Sequence, residues 1–431
     1  MSFVIRTFDL YAHHLYDQPE QSPAYENRKE TGLTSRIIIV GAGIAGLSLA
    51  QWLTRFGIEF EIIEQSPSER RSPHGIVLPF NAVRELKMLG VFEQLQEEYF
   101  DFWKLTYCGI GGKEIKSAIL TQSPFENEQF IAVREQRLLT ALRTGLEKKI
   151  RYNTRLTDVD HGEDGVRISC TNELLNGQYD LIVAADGTRS QTRLKNFEGQ
   201  ITVQDHHIPC WRVLLEYPEH GLQPMHMIGP VSQFVIYPVS NDTLYCYAHV
   251  HEAPDGEHVA DGAMLEEKGR LSPDPKENLR RIFARYGGPV PEILSRLGDA
   301  AIIPDRLQSV TEPCFFDRRI AFIGDAAHGC SPLIQQGAAM ALADSRCLAD
   351  ALAMQQTDQA LTTYRERREA QTQRIARASD APLDSVLTGP GGMKQLFYSL
   401  KLRLFGPDNV RAWRRIATER PFQSANKSPG S

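Results

Sequence analysis

The sequence predicts an α/β chain: a parallel sheet opened by a nucleotide-binding βαβ unit, an antiparallel sheet inserted in the second half, and helices at the C-terminal end. Three observations carry this. Residues 36–64, RIIIVGAGIAGLSLAQWLTRFGIEFEIIE, run from a short apolar strand through G-x-G-x-x-G into a helix of about three turns, then through Gly57 into a second strand. Two later segments repeat a buried strand that ends in an acidic turn, at Asp186-Gly187 and at Gly324-Asp325. Residues 199–300 lose the helical rhythm and read as strands, CWRVLLEY, SQFVIYPVS and TLYCYAHVHEA, with a turn at 240–242 between the last two.

At 431 residues the chain is long enough for two domains or for one large domain with an insertion. A formal net charge of -6, with Lys and Arg scattered through both halves, gives no basic footprint for nucleic acid. The 7 cysteines are spread without a C-x-x-C pair, which argues against a disulfide framework or zinc knuckle and fits a cytoplasmic location. No apolar run reaches the length of a transmembrane span, and the start lacks the order of a signal peptide. Residues 1–34 read as an added N-terminal arm without chemistry; His13-His14 has no third ligand at a sensible spacing.

Taken in order, the first loop gives each glycine a task. Gly41 allows the tight turn, Gly43 lets the backbone approach a pyrophosphate, and Gly46 lets the helix pack closely on the strand, with Ala45 between them in the motif. A diphosphate would sit at the helix N-terminus, where free N–H groups and the dipole favour an anion. Glu64 ends the second strand about twenty residues on, where an acid reaches the ribose hydroxyls. The motif alone does not separate FAD from NAD. YDLIVAADGTRSQTR at 179–193 reads by itself as a strand and an Asp-Gly turn, with Ser190 and Arg193 at short offsets. RRIAFIGDAAHGCSPLIQQGAAMALADS at 318–345 passes from a strand at 320–323 through Asp325 and Pro332 into an Ala-rich helix opened by Gly337. GIGG at 109–112 and GPGG at 389–392 lack a strand before and a helix after, so no second dinucleotide loop is expected.

GAGIAG at 41–46, ADGTRSQTR at 185–193 and GDAAHGCSP at 324–332 together resemble the three fingerprints of the FAD-dependent aromatic hydroxylases, the single-component flavoprotein monooxygenases typified by para-hydroxybenzoate, salicylate and kynurenine hydroxylases. The resemblance covers roughly Ser35 to Asp380, in the right order and spacing. It implies a Rossmann-like FAD-binding domain of the GR2/para-hydroxybenzoate hydroxylase type. That domain is expected in two pieces, 35–198 and 303–385, with an inserted antiparallel β-sheet substrate domain at 199–302 and a C-terminal helical segment and tail at 386–431. It further implies that Asp325 holds the ribityl chain, that the helix begun at Gly337 points at the flavin, that Asp186 and Gly187 serve both FAD and the nicotinamide, and that Arg134, with Arg137 as rival, contacts FAD. The family's usual Pro-x-x-Gly-Gln-Gly reads here Pro332-Leu-Ile-Gln335-Gln336-Gly337, so a glutamine replaces the first glycine.

NADPH or NADH would visit transiently, and reduced flavin would capture O2 as a C4a-hydroperoxide that delivers one oxygen atom to an aromatic or other electron-rich small molecule. The substrate would be aromatic or polyketide-like, and a monomer or a homodimer would serve. Epoxidation or Baeyer-Villiger-type tailoring in natural-product biosynthesis stays open, as does a non-catalytic or reductase-type FAD protein. A halogenase does not fit, because Trp52, Trp103, Trp211 and Trp413 never form Trp-x-Trp-x-Ile-Pro.

In the insertion, strand alternation puts Ser232, Phe234 and Ile236 on one face and Val235 and Tyr237 on the other, and the resemblance turns Phe234 toward the substrate. Tyr245, Tyr247, His249 and His251 share a face that reads more simply as solvated than as a cavity wall; a metal is not expected at His249-x-His251. Arg212 would orient an anionic or phenolic substrate or make a structural ion pair. Arg212, Phe234 and Tyr247 are thus the substrate-pocket candidates. His328 reads as structural. The basic stretch from Lys394 to Phe422 reads as a packed terminal helix, with a membrane-surface or pocket-closing role as the other reading.

Overall fold

Ile37–Val40, with all four side chains buried, is the strand around which the nucleotide-binding half is assembled. It pairs in parallel with Phe60–Ile63 on one side and with Leu181–Ala184 on the other. The full sheet runs, edge to edge, Phe316–Asp317, Ile320–Phe322, Leu181–Ala184, Ile37–Val40, Phe60–Ile63, Ile150–Arg151, and only the outermost Phe316–Asp317 strand is antiparallel. Continuous apolar runs such as IIIV and LIVA suit strands covered on both faces. The computed structural model describes residues 36–69, 72–162, 165–196, 201–229, 231–251, 259–260, 263–264, 271–385 and 399–419. The arm at 1–34 and the rest of the tail beyond 385 lie outside them.

Two helices cover the sheet where the glycine loop leaves it. Ile44–Arg55 follows the loop, and Gly337–Met354 packs along it. Alanines on the second helix allow close approach, and Ser48 Oγ donates to Ser345 Oγ (2.8 Å) while Ser345 Oγ contacts the Ala45 carbonyl (2.9 Å). With both serines fully buried, these bonds satisfy hydroxyls that would otherwise be stranded in an apolar seam.

The second sheet has seven strands in the order Ala301–Val310, Val203–Glu216, Thr243–Val250, Ser232–Ser240, Met225–Ile228, Lys104–Gly109, Glu114–Ile119. Two of these come from 104–119, so the insertion expected at 199–302 is too narrow: Lys104–Gly109 pairs in parallel with Met225–Ile228, a partner more than a hundred residues away. One face of this sheet lies under Pro275–Ile282 and Val290–Ser295 and holds Trp211, Val213, Phe234 and Ile236. The other face carries Val235, Tyr237, Tyr245 and Tyr247 and packs on Val77 and Phe80 of the nucleotide-binding half. Phe234 is therefore on the far side from where it was expected; its ring meets Phe283 at a centroid distance of 5.1 Å. Alternation defines two faces but not which one is covered by helices.

The C-terminal helix Asp408–Thr418 buries Val410 and Trp413 against that second face, as a packed helix. Among the described residues no helix is long and apolar enough to cross a membrane.

Candidate active site

The glycine loop fits a dinucleotide by its space. A Cβ on Gly46 would lie 2.0 Å from the Gly41 carbonyl oxygen, and one on Gly41 would lie 2.5 Å from that of Ala185, so loop, helix and neighbouring strand meet backbone to backbone. At Gly43 a Cβ would meet nothing within 4 Å, leaving an open cradle before the first helical N–H groups. Gly43 caps the helix in extended conformation without a side-chain acceptor, so those donors are free for a phosphate. The Glu64 carboxylate closes the loop, accepting from Ala42 N and Ser66 N, both at 2.9 Å.

The two acidic turns stand beside this loop. Asp186 uses Oδ2 on Thr192 N and Oγ1 (3.1 and 3.0 Å), while its buried Oδ1 has no partner among the described residues. Arg193, fully buried, donates to the Ala326 and Thr188 carbonyls, both at 2.5 Å, and so clamps one acidic turn to the other. Ser190 Oγ accepts from Arg193 N (3.0 Å), which explains the spacing of the Asp-Gly-x-x-Ser-x-x-Arg run.

Asp325 begins the second acidic turn, 3.4 Å from Thr188 Oγ1 through Oδ2. Burial pushes its carboxyl up, against the pull of neighbouring His328. The turn itself hangs on Asp344 of the Ala-rich helix, whose carboxylate receives Gly324 N (2.9 Å), His328 Nε2 (2.5 Å) and Arg368 Nε (2.7 Å). His328 is thus part of the framework. Pro332 opens a 3-10 turn, Pro332–Ile334, that leads through Gln335 to the helix beginning at Gly337. Gln335 takes a left-handed backbone, φ 53 and ψ 41, the conformation for which a glycine is suited. Fully buried Gln336 is held by Asn81, whose Nδ2 donates to its Oε1 at 2.8 Å.

Arg134, the expected cofactor contact, donates from Nη2 to the roof sheet, to Glu216 Oε1 (2.6 Å) and Thr243 Oγ1 (2.7 Å). Arg137 is tied to the carbonyls of Gln94 (2.7 Å) and Leu95 (3.2 Å). The neighbouring Glu135 instead joins His74, Oε2 to Nε2 at 3.1 Å, with Ser72 Oγ also donating to it. The ring of its partner His74 lies 6.4 Å from that of Tyr245, so the pair stands against the roof. Only an acid following Arg134 and a His in the Pro-His-Gly turn hinted at this pair.

The roof's inner face is a wall of buried polar rings. Tyr245, Tyr247, His249 and His251 are each less than 10% exposed, which overturns the solvated reading of that face. Arg212 lies opposite Tyr247 in the strand register and donates from Nη1 to Asp305 Oδ2 at 3.0 Å. Burial opposes its charge, but the hydrogen-bonded Asp305 carboxylate outweighs it and holds the guanidinium protonated. Burial pushes the Tyr245 phenol up to about 12 and drives His249 well below its ordinary value, so both stay neutral. His249 Nδ1 has no hydrogen-bond partner among the described residues. His226 is neutral for the same reason, down to about 3, and its Nε2 meets Tyr237 Oη at 3.0 Å. No group of three or more metal-ligating side chains that could hold an ion occurs among the described residues.

A glycine cradle, two acidic turns clamped together and a polar-aromatic roof beside them are the framework of an FAD-binding protein of the flavoprotein class. The chain belongs to the FAD binding domain family, whose model matches residues 34–379, and it is an FAD-dependent monooxygenase. It is 26% identical over 357 residues to 2-heptyl-3-hydroxy-4(1H)-quinolone synthase of Pseudomonas aeruginosa, covering 80% of this chain and 87% of that protein. It is 27% identical over 372 residues to aurachin C monooxygenase/isomerase of Stigmatella aurantiaca, covering 84% and 90%. Among solved structures, Klebsiella pneumoniae HpxO complexed with FAD and uric acid superposes with a TM-score of 0.76 at 20% identity, over 89% of this chain and 96% of that one.

Proposed function

We propose that the enzyme oxygenates a flat, nitrogen-containing aromatic substrate carrying a carbonyl or hydroxyl group, with NADPH or NADH as electron donor. The observation that carries this reading is Arg212, a guanidinium held charged on the roof's inner face between Tyr245 and Tyr247 and ion-paired to Asp305. Around it the donors and acceptors are neutral: two phenols, and the imidazole of His249 with an uncommitted Nδ1. One cation among neutral rings suits the oxygen of a heteroaromatic carbonyl or phenol, bound by a charge-assisted hydrogen bond and stacked among aromatic neighbours. The names of relatives agree in kind, a quinolone, a hydroxynicotinate and uric acid among them.

The residues present fit FAD. Gly41, Gly43 and Gly46 with the helix N-terminus would take the pyrophosphate, Glu64 the adenosine ribose, Asp186-Gly187 and Asp325 the middle of the cofactor, and the helix begun at Gly337 the flavin end. Bound FAD supplies the activation of O2 and the transfer of one oxygen atom. The chain's own part is to orient the substrate through Arg212, to hold the Tyr247 and His249 side neutral, and to keep water out beneath the roof.

The test is anaerobic stopped-flow reduction of the flavin by NADPH and by NADH, with a panel of quinolones, hydroxypyridines, purines and simple phenols. Acceleration by nitrogen heteroaromatics, weakened at least about tenfold in Arg212→Gln while FAD affinity stays within about twofold, supports the reading. Acceleration confined to carboxylated phenols overturns it.

A further inference from the structure

The loop that leads into the Gly337 helix is gripped from outside the nucleotide-binding half. Its Gln335 sits in the left-handed region at φ 53, a conformation that strains an L-residue and that glycine adopts freely. Two contacts hold the glutamine there. Its own Nε2 donates to the Leu333 carbonyl at 3.2 Å, and its Oε1 accepts from Asn409 Nδ2 at 3.3 Å. Asn409, 5% exposed, belongs to the C-terminal helix Asp408–Thr418. One turn further along that helix Trp413, fully buried, donates Nε1 to the carbonyl of Ile334 at 2.9 Å. Consecutive loop residues, Ile334 and Gln335, are therefore both bonded to the same helix.

That helix is bonded to the roof as well. Asn409 Oδ1 accepts from Tyr107 Oη at 2.6 Å, and Tyr107 stands on the strand Lys104–Gly109. The Tyr107 ring lies 4.9 Å from that of His226, which in turn meets Tyr237 and Gln233 on the same inner face. A buried asparagine with its amide engaged on both sides is fixed in orientation, so a shift at either end is transmitted to the other.

We infer that Asn409 and Trp413 are positioning residues for the flavin end of the site. They hold Gln335 in its left-handed conformation and join the loop before Gly337 to the substrate wall through Tyr107. This role rests on the FAD reading above. Where a glycine needs no help to adopt φ > 0, this chain uses a glutamine that its C-terminal helix can hold, and the loop becomes answerable to the roof.

The prediction is a double-mutant cycle on the full-length holoprotein, reading the FAD dissociation constant by flavin fluorescence, the visible circular dichroism of the bound flavin and its midpoint potential. Asn409→Ala weakens FAD by about tenfold and alters the flavin dichroism and potential, whereas the same change in the Gln335→Gly background costs less than about twofold. Equal losses in both backgrounds, or no loss in either, overturn the inference. If Asn409→Ala does not fold, Trp413→Phe keeps the ring and removes only the donor to Ile334; an unaltered flavin dichroism and potential there also overturns it. A wild-type protein that takes up no FAD instead refutes the cofactor reading itself.

Discussion

At the scale of single residues, the glycine loop separates packing from binding. Gly46 has no room for a methyl group, and Gly43 has ample room but faces the cradle. Gly46→Ala is expected to fail to fold or to lose several kcal/mol by backbone collision. Gly43→Ala should keep its melting temperature without cofactor while its FAD affinity falls about tenfold, measured by fluorescence titration. The packing role of Gly46 was legible in the sequence, because the last glycine of G-x-G-x-x-G falls where the helix meets the loop. Phe234 was not legible, since alternation is silent about which face a helix pair will cover. Nor was the pairing of Glu135 with His74: the strand ends at Arg134 and the helix begins at Glu135, so a one-residue boundary decides which side chain turns toward the roof and which toward His74.

At the scale of elements, the Ala-rich helix carries two acids with opposite fates, Asp344 fully buried and Asp350 partly so. Asp344 has three donors; burial would raise its carboxyl, but His328 and Arg368 more than offset this and hold it below the ordinary range. Its contribution to stability is present above the unfolded-state value and is lost as pH falls toward the folded one. Asp344→Ala, which strands Arg368 and the Gly324 N–H, should cost about 3–5 kcal/mol in denaturant unfolding. Asp350 is less fortunate, because Glu85 takes Arg346 in a paired contact at 2.7 and 2.8 Å and leaves it at 3.9 Å. Burial pushes Asp350 up to about 6, so above that pH the folded state carries a poorly solvated carboxylate, and the cost of that charge is fully present there. Asp350→Asn should therefore raise stability by about 1–2 kcal/mol at pH 7.5, and this advantage should vanish by about pH 4 as the wild-type acid becomes protonated in both states. The helix itself was plain in the sequence; which acid would find a cation was not, since Arg368 comes from the following helix Thr357–Ser385 and Glu85 from a helix far earlier in the chain.

At the scale of the whole molecule, the roof makes the folded state averse to acid. His226 and His249 are held neutral by burial, so below pH 6.5 the unfolded chain binds protons that the folded chain refuses. Stability should decline from pH 6.5 toward 3, and urea titrations of His226→Gln should show a shallower decline than the wild type. The parallel sheet and the existence of an inserted sheet were readable from strand rhythm. The recruitment of 104–119 into the roof was not, because its pairing partner is supplied by the fold and leaves no local mark.

The order of strands has a consequence for biosynthesis. Leu181–Ala184 is flanked on one side by Ile37–Val40, made early, and on the other by Ile320–Phe322, made after the entire roof. While the ribosome is still translating the roof, the nascent sheet therefore ends in an open, wholly apolar edge, and neither Asp325 nor the helix at Gly337 yet exists. FAD capture must then be a late event, and the emerging chain a client for chaperones until roughly its last quarter leaves the exit tunnel.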